Sequence, residues 1–488
     1  MNLSRKIVYN GIATTVYTLS GLVRNKIFAV FLSINLFGIL SIGQQSMSLL
    51  FTVFAFGLPL GISTLISQST SLSKAEQSLR TTQVIILTLF VALSISIVLI
   101  IILMFDAESI SVLITGSGNY VTPITIILFS VPFMVIEYCL FSVMEGMGLV
   151  RKIVLFRLIP SIVILPILYF LSSQYGLIGS SYGILINEVL LSIVGLILLS
   201  EFVNLSKQSF QISDTLVKIF KIALLSFAVG VSWLITDFLI KRYALIQTGE
   251  IANGIIQSIA KVTDLYPNIA LAWLTMHLFP SLGGKKEDKS FIAVTIERTI
   301  TISLAIIIPM VIFLFAFRPQ ILSIIYKKEF ELATFYFGAM LLTGIPKVFS
   351  WVLGISLLPI GMKRQWFYSS MLYTLVFGVI AFAGLHSSLS FYAIPLALGL
   401  SLTLQAGFGL YIFKKSSIKF SKKFVEQLLY YIAITICLMA GLYNEVFIFP
   451  AILIYIIFGM RSKLFQEVFD KALDILSHIT KKNNSTTI

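Results

Sequence analysis

VYNGIATTVYTLSGLVRNKIFAVFLSI, residues Val8–Ile34, is a long apolar run with one arginine, Arg24, near its middle. As a helix it spans roughly 40 Å, enough to cross a bilayer with some tilt. An arginine at that depth costs roughly 2.5–3.5 kcal/mol on insertion scales, so it does not face lipid. Either it pairs with an acid inside a helix bundle, or it stands in a wet cavity where an anionic substrate meets it.

The rest of the chain repeats the pattern. It is 488 residues long, 58% apolar and only 11% charged, with a mean hydropathy of +0.99; that is the composition of a polytopic membrane protein. Arg5 and Lys6 resemble the start of a signal peptide, but the run after them is too long and carries Arg24, so it is expected to stay as a transmembrane helix. Cys139 and Cys437 both fall in apolar stretches, and the three histidines, His277, His386 and His478, are scattered. No zinc spacing, P-loop or nucleophile elbow occurs, so the reading is a non-enzyme with neither metal nor cofactor.

Apolar stretches predict spans at about 8–34, 37–67, 81–105, 121–146, 151–172 and 176–202, then 219–244, 251–282, 291–317, 333–361, 366–386 and 389–413. A shorter pair, 424–443 and 446–461, makes a terminal hairpin, for fourteen spans in all. With the N-terminus inside, 24 of the 35 Lys and Arg lie in inner segments and five in outer ones. Both termini are therefore expected in the cytoplasm, and the net charge of +14 reads as a topology signal rather than a nucleic-acid footprint.

An internal repeat runs at an offset of about 213 residues. FDAESISVLI from Phe105 answers FRPQILSIIY from Phe317, and Met144–Lys152 (MEGMGLVRK) answers Leu358–Gln365 (LPIGMKRQ). Gln44 falls opposite Gln257, and Pro132 close to Pro346. Six spans is an even number, so both halves start on the same side and are related by an axis along the membrane normal. The expected fold is all-α: an N-lobe over 1–203, a cytoplasmic linker over 204–218, a C-lobe over 219–413 and the hairpin over 424–461. A tail over 463–482 has the apolar face of a helix lying on the cytoplasmic surface.

A basic start feeding a first helix with a central Arg, a Gly/Pro bend at Gly57–Ser67 (GLPLGISTLIS), and the outer segments FDAESISVLI and FRPQILSIIYKKEF together carry a family likeness. Over about 1–415 the chain resembles the O-antigen and polysaccharide flippases of the multidrug/oligosaccharidyl-lipid/polysaccharide exporter superfamily. The resemblance implies a bacterial inner-membrane protein. It would carry an undecaprenyl-pyrophosphate-linked oligosaccharide from the cytoplasmic to the periplasmic leaflet by alternating access through a cationic cavity. A polysaccharide polymerase and a chain-length regulator are the protein partners it implies. The terminal hairpin departs from the twelve-helix plan and is similar to the lipid II flippase branch.

A pyrophosphate carries about two negative charges, which Arg meets as a bidentate fork and Lys as a point charge. Arg24, Lys261 and Lys347 are the candidate substrate contacts. Asp237, at the repeat offset from Arg24, is a candidate gate partner for it. Lys261 and Asp264 share a helical face and either pair with each other or both serve the cleft. Lys347 either meets substrate or neutralises an acid such as Glu137. Glu188, Glu137 and His277 are candidate proton carriers, while Lys26, Arg157 and Arg298 are expected to snorkel outward. The alternatives are a cation-coupled multidrug exporter of the same fold, which would expose carboxylates without neighbouring cations, and a lipid II flippase. A polymerase or glycosyltransferase would need large outer loops, and the longest here is about fifteen residues.

Overall fold

The computed structural model describes residues 19–69, 74–203, 212–265 and 287–461, with 267, 271, 278, 281 and 282 as isolated positions. Among these residues the secondary structure is helical throughout. Nine helices among the described residues are long and apolar enough to cross a membrane. The tail over 463–482 and most of the linker lie outside the described residues.

The first half comprises α1 (19–31), α2 (Ile34–Ala55), α3 (Leu58–Ser69), α4 (Lys74–Thr115), α5 (Val121–Leu128), α6 (Val131–Gly146) and α7 (Val150–Leu199). The second comprises α8 (Ile212–Thr263), α9 (Lys289–Ala316), α10 (Arg318–Ile325), α11 (Thr334–Leu342), α12 (Gly344–Ser356), α13 (Lys363–Leu385) and α14 (Ala393–Lys415). α15 (Lys422–Gly441) and α16 (Ile448–Arg461) form the terminal hairpin.

Two helices are too long for one crossing. α7 has 50 residues, about 75 Å if straight, and breaks at Gly176. α8 has 52 residues and breaks at Gly249. Gly249 falls in a gap between predicted spans, and Gly176 is the first residue of one. Elsewhere the structure subdivides what reads as one span. The 37–67 stretch turns at Phe56 and Gly57, both at positive φ. The 121–146 and 333–361 stretches each become two helices, with Pro132 and Pro346 in the first turn of the second piece, where a missing N–H is tolerated. The acidic segment after the third span is itself helical. α4 kinks at Asp106, whose carboxylate accepts from the Ser109 amide at 2.9 Å and so restarts the helix.

These irregularities recur in order in both halves: a broken span with its proline, then a glycine turn at Gly148 (φ +66) and again at Gly361 (φ +88). Both turns are left-handed, a conformation that disfavours any side chain with a Cβ.

The chain divides into two compact units, Met1–Ser258 with Ile324–Phe330, and Ile259–Ser323 with Glu331–Ile488. In the first, Ile42, Leu103, Ile124, Leu128, Phe238 and Leu245 form a buried core. Large apolar side chains also sit outside: Phe90, Leu93, Ile97 and Ile101 form an exposed stripe on α4. An apolar stripe turned outward from a packed bundle is the surface that lipid covers. The protein is a multi-pass membrane protein.

Candidate functional site

In the first unit the buried charges gather around α1, α6 and α7. Glu137 on α6 and Glu188 on α7 are each only 8% exposed. Their carboxyl groups interact directly, with Arg24 and Arg157 within electrostatic reach of Glu137. The Asn187 side-chain amide donates to Glu188 Oε1 at 3.0 Å. Arg157 also lies over the Phe141 ring, 4.7 Å from its centroid, beside a cavity of about 110 Å³ bounded by Glu137, Phe156 and Leu191. α1 is fixed against α7 by the Ser20 hydroxyl, which donates to the Ser161 carbonyl at 3.0 Å, and by an edge contact of Phe31 with Tyr169. Two acids and two guanidinium groups thus form a nearly neutral cluster, the arrangement that makes buried charge tolerable.

Three expectations change here. Glu137 is served by Arg24 and Arg157, not by Lys347. Arg157 does not snorkel; it lies over the Phe141 ring within electrostatic reach of Glu137, where two adjoining carboxyls favour a second cation. Asp237 is not held by Arg24: its Oδ2 accepts from Lys241 Nζ at 2.8 Å and from Gln45 Nε2 at 2.5 Å. Lys241 stands one turn away on the same helix, so it meets Asp237 with little ordering of either side chain. Gln257 Nε2 donates to Gln45 Oε1 at 3.3 Å, extending the network. Lys26 reaches the outer segment that follows the ninth span. Its ammonium caps the carbonyls of Ile324 (2.6 Å) and Tyr326 (3.4 Å), while Tyr326 and Phe330 each stand edge-on to Phe37.

In the second unit Lys347 on α12 donates to Asp264 at 2.9 Å. The lysine side chain is 27% exposed and the aspartate 60%. Lys261, one turn before Asp264 on α8, is half-buried. The structure therefore gives Asp264 a partner from another helix, and Lys347 an acid other than Glu137. His277 lies outside the described residues.

Sequence reasoning missed Arg157, Gln45 and Lys241. The first was legible as a charge count, since Glu137 and Glu188 outnumber Arg24. Lys241 was legible as the residue one helical turn after Asp237, whereas Gln45 carries no signal until α2 and α8 are side by side.

No family model matches the chain, and no curated protein matches it. Solved structures do. The chain is similar to an inward-facing MATE-family multidrug resistance transporter of the MOP superfamily, at 16% identity over 85% of this chain and 95% of that one, with a TM-score of 0.65. It is similar to the lipid II flippase MurJ in an inward closed conformation, at 15% identity over 96% and 99%, with a TM-score of 0.67. A third likeness is a MOP-superfamily transporter from Pyrococcus furiosus Vc1 with a binding pocket of reverse polarity, at 16% identity over 84% and 95%, with a TM-score of 0.62. The chain has the fold of the MOP-superfamily transporters.

Proposed function

We propose that the chain is a flippase that carries an undecaprenyl-pyrophosphate-linked oligosaccharide across a bacterial inner membrane, from the cytoplasmic to the periplasmic leaflet. The reading takes both termini as cytoplasmic and the two six-helix halves as lobes that alternate access. The observation that carries it is the Lys347–Asp264 pair beside Lys261. An ion pair with one partner 60% exposed contributes only about 0–1 kcal/mol. A pyrophosphate with two charges displaces Asp264 from Lys347 at little cost, and Lys261 supplies a second cation. Arg24 lies within electrostatic reach of the buried Glu137, so the Arg24, Glu137 and Glu188 cluster is assigned as the station for a coupling proton, and Lys347 with Lys261 as the headgroup contact.

The test is export of lipid-linked saccharide in cells expressing the variants at native level. Lys347→Ala is expected to cut surface polysaccharide at least tenfold while the protein inserts normally, and Asp264→Asn to retain transport. Normal export by Lys347→Ala removes the headgroup assignment. A second reading, lipid II flippase, draws support from the likeness that spans 96% of this chain. Complementation of a strain depleted of lipid II flipping separates the two.

A further inference from the structure

The N-terminal halves of α9 and α15 leave a groove of about 390 Å³ between them, within the second unit. Its polar lining is Glu297, Arg298, Thr301, Ser421, Lys423 and Gln427. The acid in it is already used: Glu297 accepts from the Ser421 amide and, at 2.9 Å, from the Ser421 hydroxyl. Gln427 Oε1 accepts from the Thr301 hydroxyl at 2.9 Å, which ties α15 to α9 across the groove. Arg298 and Lys423 are exposed, and among the described residues neither has an ion-pair or hydrogen-bond partner. The groove therefore offers two unengaged cations, while both oxygens of its carboxylate are hydrogen-bonded by Ser421.

Its surroundings are those of a membrane interface. Lys414, Lys415, Lys419 and Lys422 lead into the start of α15. Val294 borders the groove at 61% exposure, and Val425 (53%), Leu429 (63%) and Ile432 (55%) form an outward apolar stripe on α15. Cations at the end of a span with an apolar track running from them match a phospholipid, whose phosphate lies at the headgroup level and whose chain lies below it.

We propose that this groove binds an anionic bilayer phospholipid, its phosphate held by Arg298 and Lys423 and one acyl chain lying along Val294 and the α15 stripe. The site is separate from Lys347 and Lys261 and does not depend on what the protein transports. Bound lipid would fasten the terminal hairpin to α9 from the membrane side.

The test is native mass spectrometry of the full chain titrated with phosphatidylglycerol or phosphatidylcholine. Phosphatidylglycerol is expected to bind in preference. The double variant Arg298→Ala with Lys423→Ala is expected to weaken it about thirtyfold, from roughly 1 kcal/mol per cation near the surface. Arg298→Lys with Lys423→Arg should keep binding, which separates loss of charge from misfolding. Removal of two exposed cations elsewhere, Lys363→Ala with Arg364→Ala at the start of α13, should leave it unchanged. An equal loss in that control, or equal binding of phosphatidylcholine, overturns the proposal. So does displacement by excess inorganic phosphate, which marks a free-anion site, or by a polyprenyl pyrophosphate, which hands the groove to the transported lipid.

Discussion

Arg24 and Lys347 read alike in the sequence, one basic residue in each of two apolar spans, yet their surroundings separate them. Lys347 meets a well-exposed aspartate, and Arg24 meets carboxyls that are almost wholly buried. Lys347→Ala is therefore expected to change the melting temperature in detergent little, because a screened pair contributes about 1 kcal/mol at most. Arg24→Ala leaves two adjoining buried acids with Arg157 alone, and removing one partner from such a cluster costs about 3–5 kcal/mol. Its melting temperature should fall clearly, and Glu137→Gln in the same chain should restore much of it. A melting curve for Arg24→Ala that overlays the parent would show that the cluster is solvated. Arg318 marks a different balance. Burial pulls its guanidinium below its ordinary pKa, and Glu445 at 3.2 Å opposes that shift. It also donates to the Phe315 carbonyl and lies over that ring, so this arginine anchors structure.

At the scale of elements, α2 and α8 cross so closely that only glycine fits. A Cβ on Gly38 would stand 2.8 Å from the Gly254 nitrogen, and one on Gly254 would stand 2.2 Å from the Ile34 carbonyl oxygen. Gly254→Ala forces the helices apart, with an expected cost of about 1–3 kcal/mol, as for other overpacked sites. Thermal unfolding checks it, and an unchanged midpoint would mean the crossing is not maintained. Gly148 and Gly361 make a cleaner comparison. A Cβ at either meets nothing within 4 Å, so alanine there reports backbone strain alone, about 1–2 kcal/mol at each. Equal losses are expected because the two turns are copies, and a large loss at one only would break the equivalence. The repeat was readable here, since MEGMGLVRK and LPIGMKRQ each end a span on a turn glycine. The close crossing was not, because Gly38 and Gly254 lie more than 200 residues apart and no local pattern joins them.

For the whole molecule, the sequence suggests that losing the 424–461 hairpin is partly tolerated. The structure raises the cost. Tyr455 donates to the Ala305 carbonyl at 2.8 Å, Gln427 is bonded to Thr301, and Glu445 pairs with an Arg318 that is 6% exposed. Deleting 424–461 uncovers that cation and removes the Tyr455 and Gln427 contacts from α9, so a lower yield of folded protein is expected. Fluorescence-detected size exclusion reads it directly, and a monodisperse peak at parental level would show the hairpin to be dispensable.

Hydrophobicity and charge bias are summed over long stretches, and lipid makes unsatisfied backbone so costly that helices are the only outcome for such runs. That is why the all-helical membrane fold, the breaks near Gly176 and Gly249, the duplicated turns and the list of in-membrane charges could be read from the amino acids alone. Which charge meets which is settled over a few ångströms by helix rotation and close approach. Asp237 meeting Gln45, Arg157 lying near Glu137 and Lys347 finding Asp264 were all decided by the packing of helices and not by any local pattern.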